Sequence, residues 1–506
     1  MISMDLEKKI PQNVMLALQV LKRAGGAPYI VGGAVRDLFM GKEPHDYDIA
    51  SNLTPEQVLA ALKNENIPVV EKLGNNFGVV VGLFDGLPIE IATFRKDRYG
   101  SDDPHRPSMV TYSETIEEDL SRRDFTMNAM AMDEKGNMID PWHGREDIKK
   151  KLLRTVGDPA ERYMEDPLRM YRACRFVSQL GFTYTEINAV LEAERLTAEP
   201  AVSSVFVKKD FWKECNAANL SMERIRQEME KLLLGENPDK GLALLMSSGL
   251  IHSPFAARKN GKLVYEAPLD ALSHLEKLEQ NSKYHMYDAW EHTLHAVRNV
   301  PKDLKLRWTM LFHDAGKGLE TIRRTNPKTG MPTDHGHEVE SAHIVAEALS
   351  AFGYNDNFVK EIHWLVKNHM AMPILLTANK RQMKRWIRSK VADFRSQKNM
   401  VAAFEDLEKV FAADLAASRH SDEELKVLHE KMTFVLKTIA EQTPVHSSDL
   451  AIKGTTILEM IRETELDIRD VYAGLLKKVQ DGVIKNEETA LMDAVKKKVL
   501  NAIKKP

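Results

Sequence analysis

Cysteine is almost missing from this chain: Cys174 and Cys215 are the only two in 506 residues. That excludes a disulfide framework and suits a reducing compartment. Long apolar runs are missing as well, and none approaches the roughly 18 residues a membrane-spanning helix needs. The opening residues, MISMDLEKKIPQN, hold no apolar core of secretory-signal length. A cytoplasmic protein without membrane association is therefore expected. An excess of one charge sign is also lacking. Lysine and arginine number 71 against 74 acidic residues, so a nucleic-acid partner is neither favoured nor excluded, and would need a local basic stripe. Lys477 to Pro506 carries eight lysines against four acids, although such runs are commonly solvated helix faces. There is no internal repeat and no low-complexity segment.

With 43% hydrophobic and 29% charged residues, the chain has the composition of a globular protein, and its length predicts about three or four structural units. The first 150 or so residues mix two periods. APYIV reads as a strand entering Gly32-Gly33, and AVRDLFM as a short helix stopped by Gly41. Thr54 and Gln57 of TPEQVLAALKNE occupy capping-box positions. FGVVVGLF and LPIEIATFR read as strands joined by a DG turn, and KDRYGSDDPHRP as a polar loop. Beyond Lys150 helical periodicity dominates. EDPLRMYRACRFVSQLG and SMERIRQEMEKLLLG both read as helices ended by glycine, and RKNGK (Arg258 to Lys262) reads as a polar boundary.

Within the first region, HDYDIA as a strand puts Asp46 and Asp48 on one face, with Tyr47 and Ile49 turned inward. Two such carboxylates repel unless a cation lies between them, and hard oxygen donors suit Mg²⁺ together with substrate phosphates. The glycine pair ahead of them lets backbone N–H groups approach a phosphate, and Arg36 adds a cation. Together these look like half of a two-metal nucleotidyl-transfer site. Glu90, on a neighbouring strand, is a third carboxylate.

The motifs GGAVRD, DYDIA, TFR, RRDFTMNA and EDPLRMYRACRF, in that order, resemble those of the class II nucleotidyltransferases. That family contains the bacterial CCA-adding tRNA nucleotidyltransferases and the bacterial poly(A) polymerases. The resemblance covers roughly residues 28 to 235. It implies an α/β polymerase-β-like head followed by all-α neck, body, HD and tail regions. It also implies catalytic Mg²⁺ on Asp46 and Asp48, with Gly32, Gly33, Arg36 and Arg95 at the incoming nucleotide and Arg123, Asp124 and Asn128 around its ribose and phosphates.

Asp166, Arg169, Arg172 and Arg175 are spaced by three, which predicts one broad helix stripe beside Glu165. The resemblance matches Asp166 and Arg169 to the pair that reads the base. A carboxylate accepts from the exocyclic amino group of cytosine or adenine, and a guanidinium donates to the adjacent ring nitrogen. Uracil and guanine turn a carbonyl toward the carboxylate and are rejected.

Downstream, His292 precedes His313-Asp314 by 21 positions, and His337, His363, His369 and Asp414 follow. This order resembles the HD-domain phosphohydrolase pattern. It implies metal ligands at His292, His313, Asp314 and Asp414, with His337 and His369 as extras. Mixed imidazole and carboxylate donors suit Mn²⁺, Ni²⁺, Co²⁺ or Fe²⁺ better than Mg²⁺. LAIKGTTILE resembles the start of the family's tail, although only Gly474 follows where a glycine-containing stretch is usual. The segment between Gly181 and Ser221 exceeds the family's usual neck and has no functional reading.

The expected organisation is a nucleotidyltransferase head at 1–152 and a neck and body at 153–275, then an HD domain at 276–420 and a tRNA-binding tail at 421–506. The expected activity adds C, C and A to tRNA from CTP and ATP. A poly(A) polymerase or a partial-CCA enzyme is the alternative within the family. Retention of KDRYGSDDPHRP, whose loss accompanies CC-only addition in the family, favours full CCA. An HD phosphohydrolase with an RNA-binding N-terminal region is the alternative from another class, and intact Asp46 and Asp48 oppose it. No oligomeric state follows from the sequence.

Overall fold

The computed structural model describes residues 9–70, 78–98, 109–182, 210–259, 261–419 and 421–503. Most of the KDRYGSDDPHRP loop and of the long segment after Gly181 lies outside the described residues. The chain forms two compact units, Met1–Ser273 and His274–Pro506.

The first unit is built on a six-stranded sheet of order β3-β4-β2-β1-β7-β8. Its strands are β1 (Tyr29–Val31), β2 (Asp48–Ser51), β3 (Val79–Phe84), β4 (Leu87–Thr93), β7 (Ala131–Met132) and β8 (Met138–Ile139). β2 and β4 run parallel, and the other neighbours are antiparallel. Asp85 and Gly86 both take positive φ between β3 and β4, the twist that matches a two-residue hairpin. The Pro55–Asn64 helix starts with the expected capping box, in which the Thr54 side chain accepts from Gln57 N–H and the Gln57 side chain returns to Thr54 N–H. Val31, Ala50, Phe94, Ile116, Leu120 and Val156 close part of the head's core.

Two strand pairs lie where loops were expected. Lys96, Asp97 and Arg98 belong to β5 (Arg95–Arg98), which pairs with β6 (Met109–Tyr112). RKNGK is the turn region of a hairpin between β9 (Phe255–Lys259) and β10 (Lys262–Glu266). Its NG dipeptide between apolar stretches was the available signal. The Met222–Leu233 helix also ends differently from expectation, since its C-cap is Leu234 and Gly235 does not take positive φ. Gly235 is glycine for space: a Cβ there would meet Ser178 Oγ at 2.0 Å.

In the second unit, helices Ala289–Asn299, Leu304–Phe312, Asp356–Asn368 and Gln397–Ala416 start at Asp288, Asp303, Asn355 and Ser396. Each of these side chains accepts a first-turn N–H and so satisfies one orphan donor. Trp308 is fully buried between Phe312 and Phe352, and its indole N–H donates to Tyr354 Oη at 3.1 Å. Helices Gly454–Ile461, Ile468–Gln480 and Glu488–Ile503 share a separate core of Ile457, Leu475, Leu491 and Val495. Among the described residues, no helix is long and apolar enough to cross a membrane.

Candidate functional site

The strand carrying the DxD motif starts at Asp48, so Asp46 stands just ahead of the sheet. The alternation nonetheless persists, with Tyr47 and Ile49 buried and Asp46 and Asp48 on the open side. Asp48 pairs in register with Glu90 on the parallel strand, a separation of about 4.8 Å between strands. Local burial, then Glu90, then Asp46 push the Asp48 carboxyl up to about 6, and Arg123 offsets only part of this. The carboxylates therefore sense one another. They do not close into the tight three-donor spacing found elsewhere in the chain, which leaves an open, cation-demanding edge.

Gly32 borders that edge with φ +72°, and a Cβ on it would lie 2.9 Å from Arg123 Nη1. A side chain there would be strained and would displace the guanidinium. Asp119 holds Arg123 through a 3.0 Å contact and Arg122 through one of 2.7 Å, and it also accepts from Arg95 N–H at 3.4 Å. Gly33 opens the Gly33–Phe39 helix, from which Arg36 donates to Asn128 Oδ1 at 2.9 Å. Asn128 in turn donates to Asp124 at 3.2 Å, and Arg172 donates to the other Asp124 oxygen at 2.5 and 2.8 Å. Burial alone would raise the Asp124 carboxyl, but Arg172 and Asn128 hold it down at about 2. One polar chain thus joins GGAVRD, RRDFTMNA and the arginine-bearing helix.

The expected stripe from Asp166 to Arg175 is broken. Asp166 caps the Pro159–Glu165 helix in extended conformation, and a second helix, Leu168–Leu180, begins after Pro167. The residue before a proline avoids the helical region, and the Asp-Pro dipeptide was the overlooked signal. Asp166 accepts from Leu168 N–H at 3.1 Å and pairs with Arg224 at 3.1 Å. Arg169 is fixed by Glu165 at 2.8 Å and by the carbonyls of Arg162 and Arg122 at 3.2 and 2.8 Å. Arg175 is turned inward, paired with buried Glu228 at 3.1 Å and lying 4.2 Å from the centre of the Phe176 ring. The Phe176 ring also stands under Arg36 and Arg172 at 5.5 Å each.

The second unit gathers six dispersed ligand candidates into one buried cluster. His292, His313 and Asp414 form one triad, and Asp314, His337 and His369 the other. Asp314 serves both: Oδ1 lies 3.1 Å from His337 Nε2, and Oδ2 lies 3.3 Å from His313 Nε2. The backbone settles which nitrogens face inward. Nδ1 of His292, His313, His337 and His369 meets the carbonyls of Ala417, Met310, Asp334 and Val366 at 2.6–3.2 Å. A carbonyl only accepts, so Nδ1 carries the proton and Nε2 presents a lone pair. These lone pairs meet at 3.2 Å in the pairs His292–His313 and His337–His369. Burial, opposed by Asp314 and Asp414, brings His313 down to about 4, so it is neutral at pH 7. Imidazole Nε2 atoms and carboxylate oxygens converging in this way form a donor set that fits divalent cations. His363 stays outside, stacked on His343. Two neighbours escaped the sequence reading. Lys317, three residues past Asp314, contacts it at 2.7 Å. The His285 ring stands 5.2 Å from His292.

Known proteins share these parts. A family model described as the poly A polymerase head domain matches residues 28–154, one described as the probable RNA and SrmB-binding site of polymerase A matches 216–257, and an HD-domain model matches 283–393. A CCA-adding enzyme of Geobacillus thermodenitrificans is 42% identical over 47% of this chain and 53% of its own length. This chain thus spans about half the length of the first such relatives. A CCA-adding enzyme of Anoxybacillus flavithermus is 35% identical over 72% of this chain and 83% of its own. Among solved structures, the Bacillus stearothermophilus CCA-adding enzyme in complex with CTP has the same fold. Its TM-score is 0.61 at 24% identity, over 98% of this chain and 99% of that one.

Proposed function

We propose, for a chain that belongs to the CCA-adding enzyme family, the addition of C, C and A to the 3′ end of tRNA from CTP and ATP. The tRNA 3′-oxygen bonds to the α-phosphorus as the bond to the bridging oxygen breaks, and pyrophosphate leaves. The observation that carries this reading is the carboxylate edge of Asp46, Asp48 and Glu90 beside Gly32 and Arg123. Asp46 and Asp48, with Glu90 beside them, would hold Mg²⁺, which supplies charge neutralisation at the triphosphate and activation of the attacking hydroxyl. Arg36 and Arg123 meet the phosphates, and the Asn128–Asp124–Arg172 chain keeps the pocket wall in place. Asp166 accepts from the base amino group, and Arg169, already immobilised, donates to the ring nitrogen. In this reading 1–152 is the head, 153–275 the neck and body, and 421–506 a tRNA-binding tail.

A tRNA lacking its CCA end, offered each nucleoside triphosphate separately and then CTP with ATP, tests this. CTP alone should add two residues, and ATP should add one only afterwards. Repeated addition from ATP alone would turn the reading to a poly(A) polymerase, and arrest after two C residues to a partial-CCA enzyme. Full incorporation by folded Asp46→Ala or Asp48→Ala protein would overturn the site assignment.

A second reading rests on a separate observation, the six-residue cluster around Asp314. It makes residues 276–420 a phosphohydrolase domain using Mn²⁺, Ni²⁺ or Co²⁺ on phosphate ends or 2′,3′-cyclic phosphates of RNA. A tRNA end needs a free 3′-hydroxyl before extension, so end-cleaning on the same chain serves the first activity. Phosphate release from 2′,3′-cyclic and 3′-phosphates with each metal, lost in Asp314→Ala, is the expected outcome. Release absent under every metal would leave the domain a structural module.

A further inference from the structure

The Asp356–Asn368 helix, which ends immediately before His369, carries a second feature on another flank. A cleft of about 620 Å³ opens between it, the end of the Lys380–Lys390 helix and the start of the Gln397–Ala416 helix. Lys360, Trp364 and Lys367 fall at i, i+4 and i+7 and so share one face. Lys390, Phe394 and Arg395 stand on the other wall. Trp364 and Phe394 are half-buried, with ring centres 5.0 Å apart, and both line the cleft.

The charges do not balance. The cleft's acids are already engaged: Lys305 spans Asp406 at 2.6 Å and Glu361 at 3.2 Å, and Asp393 accepts from the Trp364 indole N–H at 3.0 Å. Among the described residues, Lys360, Lys367, Lys390 and Arg395 have neither a hydrogen bond nor an ion pair of their own side chains. Burial, with Lys367 nearby, pulls the Lys390 ammonium below its ordinary value against the pull of Asp393. Lys305, Lys360, Lys367, Lys390 and Arg395 outnumber Glu361, Asp393 and Asp406 along the cleft, and such a surplus of cations calls for an anion. The aromatic rings select among anions, because nucleic-acid strands combine phosphates with π-faces that stack. The volume is that of a small-ligand site, enough for a nucleotide rather than a folded surface.

We propose that this cleft binds a nucleotide unit, its phosphate on Lys367, Lys390 and Arg395 and its base against Trp364 and Phe394. The site lies beside the metal cluster in the chain but does not depend on metal-driven hydrolysis. Trp364 and His369 are five residues apart, so they stand about 7.5 Å apart along the axis and roughly 140° around it. The same chemistry is offered by a free nucleotide or by one unit of a single-stranded RNA.

The test uses the full chain and a fluorescein-labelled ten-nucleotide single-stranded RNA. Wild type is compared with Lys367→Glu/Arg395→Glu and with the charge-keeping Lys367→Arg/Arg395→Lys. Charge reversal should weaken binding at least tenfold and lower the slope of log affinity against log salt by about 0.7, the share of one phosphate on a single strand. The charge-keeping variant should stay within about threefold, and CCA addition at saturating tRNA should serve as the folding control. AMP that displaces the strand would assign the site to free nucleotides as well. Failure of AMP beside tight strand binding would assign it to RNA alone. Should the reversal variant not fold, photocrosslinking of 4-thiouridine RNA to residues 360–367 or 390–395 of the wild type decides. Unchanged affinity and slope, absence of that crosslink, or equal displacement by poly-glutamate would overturn the proposal.

Discussion

Asp48 offers the sharpest quantitative test of the head site. Its carboxyl stands at about 6 because burial and the negative charges of Glu90 and Asp46 disfavour ionisation. A divalent cation binds the ionised form, so metal binding must expel the proton that Asp48 holds below that value. Roughly nine-tenths of the groups are ionised at pH 7 and about one-tenth at pH 5, so apparent metal affinity should fall about tenfold over that interval. An ordinary aspartate near 3.9 would lose less than about a tenth of its ionised fraction over the same interval. For folding the sign is the usual one for a raised acid. The metal-free head gains stability as pH falls through about 6 toward the unfolded value, and loses it as pH rises. Glu90→Gln removes the nearest negative charge and should move the transition to lower pH. The assay is Mg²⁺ titration of CMP incorporation at fixed CTP and tRNA between pH 5 and 8, with Mg²⁺ binding to the free protein measured by calorimetry in parallel. An affinity flat across this range, or a transition unmoved by Glu90→Gln, would refute the argument that these carboxylates act as one site.

Other tests follow from the same geometry. Gly32→Ala forces a Cβ into positive φ against Arg123, at about 1–3 kcal/mol of local strain. Incorporation should drop at least tenfold in a protein whose melting temperature shifts by only a few degrees. Asp166→Ala should narrow the preference for CTP over UTP by about 100-fold or more, measured by incorporation of all four nucleotides. Arg169→Ala should do the same with a larger loss of stability, since Arg169 also ties Glu165 to two carbonyls. Asp314→Asn should lower bound Mn²⁺ or Ni²⁺ by at least one ion per chain in elemental analysis and leave CCA addition intact. Loss of addition in that folded variant would argue against two separate sites.

Local signals stood plainly in the sequence. The Thr54–Gln57 capping box, the Asp85-Gly86 turn and the left-handed stop at Gly181 each follow from neighbouring residues alone, because turn and cap chemistry is decided within four positions. The β-rich pattern of LPIEIATFR likewise offered Glu90 on a strand neighbouring that of Asp48, and the register pairs the two. Where the reading went astray, the competing signals were also local. Pro167 broke the stripe at Asp166, and an NG dipeptide made RKNGK a hairpin. The tertiary structure alone decided which side chains remain available. Arg175 and Arg172 look equivalent three residues apart, yet Glu228 from a packed helix buries the first while Asp124 holds the second at the pocket. The six ligands between His292 and Asp414 span more than a hundred positions and only packing brings them together; the distant Ala417 carbonyl orients His292, while carbonyls three residues back orient His313, His337 and His369. Periodicity assigns a residue to a face. Long-range packing determines what that face meets, and with it the protonation and orientation on which the chemistry depends.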